Sequence, residues 1–162
     1  MTIPYSLCSY SEQRELPYVV LAVFKPGPRP WRKSRIHRAL TQLTHDLGFK
    51  PLPGRAWKLV GQRGLHAEVR KRAVPGTQAT GWHQDGDMDP GVNMDHAIIT
   101  WANVAPTEFK VGNNIFQPKP FEVVIVRNLG VYHRRPPGAP HERWLFRQRV
   151  EVPTNYDLPQ VS

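Results

Sequence analysis

Short apolar runs separated by proline- and glycine-rich turns dominate the chain. The runs are rich in β-branched and aromatic residues, which is typical of strands rather than helices. Sequences such as Pro-Gly and Gly-Asn-Asn lie between them and end strands. The pattern predicts strands over residues 17–24, 56–60, 65–74, 96–104, 107–111, 121–126 and 143–152.

One segment has helical periodicity instead. Within residues 31–47, apolar side chains recur three or four positions apart, and Gly48 follows as a helix stop. We interpret the segment as an amphipathic helix that packs on a sheet and keeps its basic side in solvent; a nucleic-acid contact face is the alternative. The apolar positions are Ile36, Leu40, Leu43 and Leu47, and the basic side carries Arg32, Lys33, Arg35, His37 and Arg38.

Many short strands with one helix near the start predict a mostly β (α+β) fold. The expected architecture is a barrel or jelly roll with the N-terminal helix packed on one sheet. A chain of 162 residues can bury one sizeable core and is too short for two ordinary domains. We therefore predict a single domain over residues 1–162, with the N-terminal strand and helix in residues 17–48 and the core in about residues 56–152.

Charge and cysteine content narrow the choice of partners and setting. Lys and Arg outnumber Asp and Glu by 22 to 13, giving a formal net charge of +9 and a pI near 10.1. This excess favours anionic partners such as nucleic acid or acidic metabolites. Cys8 is the only cysteine, which excludes an intrachain disulfide and a cysteine-based zinc site and suggests a reducing, intracellular setting. Residues 1–10 lack a signal-peptide pattern and no long apolar run occurs, so we expect neither secretion nor membrane spanning.

The sequence His83-Gln84-Asp85 carries the clearest sign of chemistry. In an extended segment, His83 and Asp85 point to the same side and the residues beside them to the other. His133 lies 50 residues after His83, beyond strand-like segments that can carry the chain back to the same point. Two imidazoles and one carboxylate on one face of an ion form the facial triad that suits non-haem Fe(II) and leaves three positions open.

The order of these motifs resembles that of the Fe(II)/2-oxoglutarate-dependent dioxygenases over about residues 65–150. The order is the Pro75-Gly76 turn, the His-x-Asp pair, a strand leading to Glu108, the strand at residues 121–126, His133, and a last strand with several arginines. The resemblance implies a double-stranded β-helix that uses Fe(II), 2-oxoglutarate and dioxygen. It further implies that His83, Asp85 and His133 hold the metal while the cosubstrate is decarboxylated to succinate and a substrate C–H bond is hydroxylated or demethylated.

Two shorter sequences are similar to the AlkB-type nucleic-acid demethylases, namely His83-Gln84-Asp85-Gly86-Asp87 and Leu145-Phe146-Arg147-Gln148. That group has a Tyr and an Asn ahead of its Pro-Gly turn, where this chain has Ala73 and Lys71. Its nucleotide-holding lid is not recognisable in residues 1–64. The substrate therefore stays open between nucleic acid, a peptide and a small molecule.

The resemblance also implies an arginine that binds the outer carboxylate of 2-oxoglutarate through two parallel hydrogen bonds. Arg143, Arg147 and Arg149 follow His133 and share one face of the last strand. Arg143 lies at a common family distance and Arg147 stands in the AlkB-like sequence, so we rank them first and second. For Arg149 a position on the outside of the fold is an equal alternative.

Other polar residues receive secondary roles. Thr100 and Asn103 are candidate contacts of cosubstrate or substrate, with packing as the alternative. Asp87 is expected to orient an arginine or to compete with Asp85 as a ligand, and Gln84 to be structural. Surface, loop or capping positions are expected for Asp89, Asp95, His37, His45, His66, His96, His141, Arg134 and Arg135, and for the two arginines the alternative is contact with an anionic substrate at the mouth of the pocket. Core positions are expected for Trp31, Trp57, Trp82, Trp101 and Trp144, with stacking on a nucleic-acid base as the alternative.

Three functions compete at this stage. The first is the dioxygenase, acting on an anionic substrate such as nucleic acid or on a peptide. The second is a non-catalytic basic module on the same barrel that binds nucleic acid or supports assembly. The third is a zinc hydrolase that uses the same His, Asp and His with a bound water.

Overall fold

The computed structural model describes residues 5–7, 16–27, 32–52, 66–67, 81–86, 91, 93–139, 143–152 and 158. Within these ranges it contains one helix, α1 (Lys33–Asp46), and nine strands. The strands are β1 (Tyr5–Leu7), β2 (Tyr18–Phe24), β3 (His66–Ala67), β4 (Ala97–Ala102), β5 (Glu108–Val111), β6 (Asn114–Phe116), β7 (Glu122–Arg127), β8 (Tyr132–Arg134) and β9 (Leu145–Val150).

The long periodic segments form the predicted elements, with ends shifted by at most two residues. They are α1 and the strands β2, β4, β5, β7 and β9. Gly48 ends α1 with a φ of +82°, a left-handed conformation that suits glycine. No helix in the described part of the chain has the length and apolar character needed to cross a membrane.

Three short strands were not predicted, and one of them, β1, lies in residues 1–16, whose polar sequence indicates irregular structure. β1, β6 and β8 have three residues each, too few to establish an alternating pattern. The strand predicted over residues 56–60 lies outside the described residues, and only β3 is described within residues 65–74.

The strands form two antiparallel sheets. The larger sheet has the order β1-β2-β7-β4-β9-β3, and the smaller has the order β6-β5-β8. An isolated antiparallel bridge between His83 and His133 joins the His-x-Asp segment to β8, at the edge of the smaller sheet. The predicted mostly β fold with one helix is confirmed, and the described strands remain two sheets without closing into a barrel.

The apolar side of α1 packs on one face of the larger sheet. Ile36 and Leu40 are almost fully buried there in a core that includes Trp101 and Phe146. The indole N–H of Trp101 donates to the carbonyl oxygen of Phe24 at 2.9 Å, which satisfies the polar group of the ring. The helix therefore covers one sheet, as its periodicity predicts.

The other face of the larger sheet looks towards the smaller sheet. Side chains alternate along β4, so Ile98 and Thr100 point away from α1. Ile98 joins a second core with Phe109 of the smaller sheet. On β9, Arg149 and Arg147 stand opposite Ile98 and Thr100 and share their face. The inner face thus changes from apolar to charged at β9, and the charged side holds the candidate site.

A Phe146→Ala variant tests the core between α1 and the larger sheet. Phe146 is fully buried, and its truncation is expected to lower the free energy of unfolding by about 3–5 kcal/mol, measured by denaturant titration. Leu129→Ala is the control, because Leu129 is 50% exposed and should change stability by no more than about 0.5 kcal/mol. Equal stability of the two variants would contradict this packing.

Candidate metal centre

Two histidines and one aspartate converge where the His-x-Asp segment meets β8. His83 and His133 exchange backbone hydrogen bonds of 3.1 and 2.9 Å, and their ring centroids lie 4.4 Å apart. Asp85 follows in the turn after His83. One donor atom from each of the three side chains lies within 4.8 Å of the other two. The fold therefore brings together the three residues that the sequence proposed as a ligand set.

The spacing of these donors suits one metal ion. Nε2 of His133 lies 3.0 Å from Oδ1 of Asp85. Two ligand atoms each about 2.1 Å from an ion and at right angles to one another are separated by about 3.0 Å. Without an ion, Nε2–H of His133 donates to the carboxylate, and an ion would take the place of that proton.

The imidazole of His83 is oriented by its second ring nitrogen. Nδ1–H donates to the carbonyl oxygen of Gly81 at 2.9 Å. Because a carbonyl oxygen can only accept, Nδ1 carries the proton and Nε2 keeps a lone pair for a metal ion.

Two guanidinium groups converge on the Asp85 carboxylate. Arg147 donates to its Oδ2, and Arg149 donates to the same oxygen through Nε at 3.2 Å. Burial alone would raise the pKa of Asp85, but Arg147, the hydrogen bond from His133 and Arg149 outweigh burial and hold that pKa well below its usual range. Asp85 is therefore an anion at neutral pH.

Two amide side chains fix the Asp85 segment against the turn that precedes β8. Asn128 is buried and accepts a hydrogen bond from the Asp85 N–H at 2.8 Å, while its own amide donates to the Asp85 carbonyl at 3.0 Å. Gln84 accepts a hydrogen bond from the Gly130 N–H at 2.7 Å, in the structural role predicted for it. The role of Asn128 was not predicted, because an Asn after a strand gives no sign of which distant backbone groups it binds.

Known proteins do not identify this site. No protein-family model, curated protein or solved structure matches the chain. The resemblance to the dioxygenase superfamily therefore stays a prediction from motif order.

The arginine ranked first from sequence lies elsewhere. Arg143 is buried at the connection between β4 and β5, where it donates to the carbonyl oxygen of Ala105 at 2.7 Å and to Oγ1 of Thr107 at 3.2 Å. Arg147 and Arg149 are the arginines that contact Asp85. The geometry therefore favours these two over Arg143 for a ligand bound next to the metal site.

The two polar residues predicted on the strand after the His-x-Asp pair differ in position. Thr100 is buried on the inner face opposite Arg147. The Asn103 amide oxygen accepts hydrogen bonds from the N–H groups of Val104 and Trp144 at 2.9 and 2.7 Å. Asn103 thus closes the end of the β4–β9 pair, and Thr100 is the better placed of the two to contact a ligand.

One surface expectation is wrong. His96 is only 2% exposed, and it lies close to the charged side chains of Arg149, Asp85 and Arg147. Several other expectations lie outside the described residues, namely those for Lys71, Ala73, the Pro75-Gly76 turn, Asp87, Asp89, His141, Trp31 and Trp57.

An Asn128→Ala variant should bind divalent metal about 10- to 100-fold more weakly than the natural chain. The substitution removes the side chain that holds both backbone polar groups of Asp85, so the carboxylate loses its fixed position. Asn128→Asp keeps an acceptor for the Asp85 N–H, so its metal affinity is expected to lie between that of the natural chain and that of Asn128→Ala. Calorimetric titration with Mn(II) measures this, with exposed Asn114→Ala as control; unchanged affinity in Asn128→Ala would contradict the positioning role.

Acidification is expected to destabilise the metal-free protein. Burial lowers the pKa of both His133 and His96, and Arg149 adds to the effect at His96. The unfolded chain takes up protons near the ordinary histidine pKa of about 6.5, whereas the folded protein resists them, so stability is lost as pH falls below that value. Each imidazole contributes a slope of up to about 1.4 kcal/mol per pH unit.

Denaturant midpoints between about pH 8 and pH 5 measure this slope. His96→Phe should flatten it, while the exposed Asn114→Ala control should leave it unchanged. A midpoint that rises on acidification would contradict the burial of neutral imidazoles.

Proposed function

We propose that this protein is an Fe(II)- and 2-oxoglutarate-dependent dioxygenase that oxidises a C–H bond of its substrate. One observation carries the proposal: two imidazoles and a carboxylate lie within 4.8 Å of one another, and two guanidinium groups contact that carboxylate. The donor set is the facial triad that suits non-haem Fe(II). His83, Asp85 and His133 would hold the ion and leave three positions open for cosubstrate and dioxygen.

The strand order supports the double-stranded β-helix that this proposal requires. From β4 onwards the chain crosses repeatedly between the two sheets, with β4, β7 and β9 in the larger and β5, β6 and β8 in the smaller. The bridge at His83 extends the smaller sheet beyond β8. Two facing antiparallel sheets joined in this way are typical of jelly rolls.

The charge of the site supports a di-acid ligand. Asp85 is accompanied by Arg147 and Arg149, so these three side chains carry an excess of one positive charge, and a divalent ion would raise it to three. 2-Oxoglutarate is a dianion, and arginine binds carboxylates through two parallel hydrogen bonds. Its outer carboxylate is therefore expected to bind Arg147 or Arg149, next to Thr100.

The side chains have separable tasks in this scheme. Gly81 fixes the His83 tautomer, Asn128 fixes the Asp85 backbone, and β9 supplies the cations that bind and orient the cosubstrate. When bound, iron with 2-oxoglutarate and dioxygen supplies the oxidation itself. The substrate class stays a prediction from charge, which favours an anionic one such as nucleic acid.

Succinate formation under defined metal conditions tests the proposal. The purified protein is incubated in air with 2-oxoglutarate and ascorbate, which supplies the two electrons that a substrate C–H bond would otherwise give, together with Fe(II), with Zn(II) or with chelator alone. We expect 2-oxoglutarate-derived succinate with Fe(II) only, and none without dioxygen. Hydrolytic activity with Zn(II) that needs no dioxygen, and no succinate with Fe(II), would favour the hydrolase and contradict the proposal.

A further inference from the structure

The outer face of the smaller sheet carries exposed apolar side chains. Ile115, Leu129 and Tyr132 are 52%, 50% and 41% exposed, and they are the large hydrophobic residues that are exposed within the described ranges. Ile115 of β6 and Tyr132 of β8 flank Lys110 of β5 on the outer face of the smaller sheet, whereas Leu129 lies in the turn before β8. Solvent-exposed apolar groups gathered on one sheet face mark an interaction surface more often than scattered ones do.

The pairing of the strands places basic side chains next to Ile115 and Tyr132. Lys110 of β5 pairs with Ile115 on one side and with Tyr132 on the other. The neighbouring row pairs Glu108 with Arg134. Directly opposite residues of an antiparallel pair lie on the same face with their Cβ atoms about 4.5–5.5 Å apart. The outer face is therefore a continuous array of aromatic, aliphatic and basic groups.

Trp82 extends this array beyond β8. The guanidinium carbon of Arg134 lies 4.2 Å from the centroid of the Trp82 ring, and Nζ of Lys110 lies 5.5 Å from it. The two cations are thus held in place by cation–π contacts. Nε of Arg134 also donates to Glu108 at 2.8 Å, which uses one of its five N–H groups. We call Trp82, Lys110, Ile115, Tyr132 and Arg134 the aromatic-basic face.

We propose that the aromatic-basic face binds single-stranded nucleic acid. An exposed aromatic ring offers a stacking surface for an unpaired base, and fixed cations beside it attract phosphates. The charges are complementary, because Glu108 is paired with Arg134 and the whole chain carries +9. A duplex hides its base faces and would meet only the cations, so the single-stranded form is favoured.

This face is separate from the candidate metal centre. Side chains alternate along a strand, so Tyr132 and Arg134 point outwards while His133 points to the metal site. Trp82 likewise points away from the side of His83. The inference therefore stands whether or not the proposed oxidation is correct, and it predicts that binding and metal loading can be changed independently.

Fluorescence anisotropy with a labelled single-stranded 12-nucleotide probe tests the proposal. We expect binding that weakens with added salt, and an affinity loss of about ten-fold or more in Tyr132→Ala through the lost base stack. Tyr132→Phe keeps the ring and should bind like the natural chain. Thermal melting of each variant shows that it is folded.

Two double variants show whether probe binding depends on the cations of the aromatic-basic face or only on the net positive charge of the protein. Lys110→Ala/Arg134→Ala and Arg35→Ala/Arg38→Ala each remove two positive charges, the second pair from the exposed side of α1. We expect the first to lose most probe binding and the second to lose little. Equal losses in both, or unchanged binding in Tyr132→Ala, would overturn the proposal. A third outcome would also overturn the proposal: the protein does not bind the probe but forms a dimer, and Ile115→Glu dissociates that dimer. The aromatic-basic face would then bind a second copy of this chain.

Discussion

A His83→Ala variant is expected to lose divalent metal affinity by about a hundred- to a thousand-fold and to form no succinate from 2-oxoglutarate. Four-ligand zinc sites bind with about 10–16 kcal/mol in total, so one ligand accounts for about 2.5–4 kcal/mol. Of the three proposed ligands, His83 can be removed with the least structural damage, because its ring is only partly buried and makes no ion pair among the described contacts. Metal titration and the succinate assay measure the two losses.

His96→Ala is the matched control for this variant. It also removes an imidazole near Asp85, but His96 is not part of the three-donor cluster. Metal affinity should therefore remain within a few fold of the natural chain, even though the buried position makes the variant less stable. If the two variants lose metal affinity equally, the donor set has been assigned wrongly.

An Arg147→Met variant is expected to bind 2-oxoglutarate about a hundred-fold more weakly with Mn(II) in the site, while binding of Mn(II) itself changes much less. Truncating one partner of a buried charge pair typically costs 2–5 kcal/mol, and 1.4 kcal/mol is ten-fold. Arg149 remains beside Asp85 and keeps the carboxylate ionised. Calorimetric titration of the Mn(II)-loaded protein measures the change.

Titration with a second compound, 2-oxopentanoate, tests whether Arg147 binds the outer carboxylate of 2-oxoglutarate. In 2-oxopentanoate a methyl group replaces the outer carboxylate, so Arg147→Met should leave its affinity unchanged. Arg143→Met should affect stability rather than 2-oxoglutarate binding, since Arg143 is held by Ala105 and Thr107. A larger 2-oxoglutarate defect in Arg143→Met than in Arg147→Met and Arg149→Met would restore the ranking made from sequence.

Local periodicity in the sequence was sufficient to predict the helix and the strands that are buried on one or both faces. In β7 four consecutive apolar residues are buried, and α1 presents a regular apolar stripe, so both were predictable. β6 and β8 were not, because strands of three residues depend on pairing with β5 rather than on their own sequence. Because β6 and β8 were not predicted, the aromatic-basic face could not be predicted either.

The convergence of His83, Asp85 and His133 was predictable from the sequence, and the groups that surround them were not. Alternation along an extended segment places His83 and Asp85 on one side, and motif order adds His133. Arg143 precedes β9, so the alternation that points Arg147 and Arg149 inwards does not extend to it, and its contacts with Ala105 and Thr107 could not be predicted from the strand pattern. Asn128 and the burial of His96 depend on contacts between segments far apart in the chain, which no local pattern specifies.

Iron-edge X-ray absorption of the anaerobically loaded protein tests the central claim most directly. The claim is that His83, Asp85 and His133 hold one ferrous ion. We predict one iron per chain with two imidazoles in its first coordination shell, and a single imidazole in the His83→Ala protein at saturating iron. An imidazole signal that is absent from the natural chain, or unchanged by His83→Ala, would contradict it.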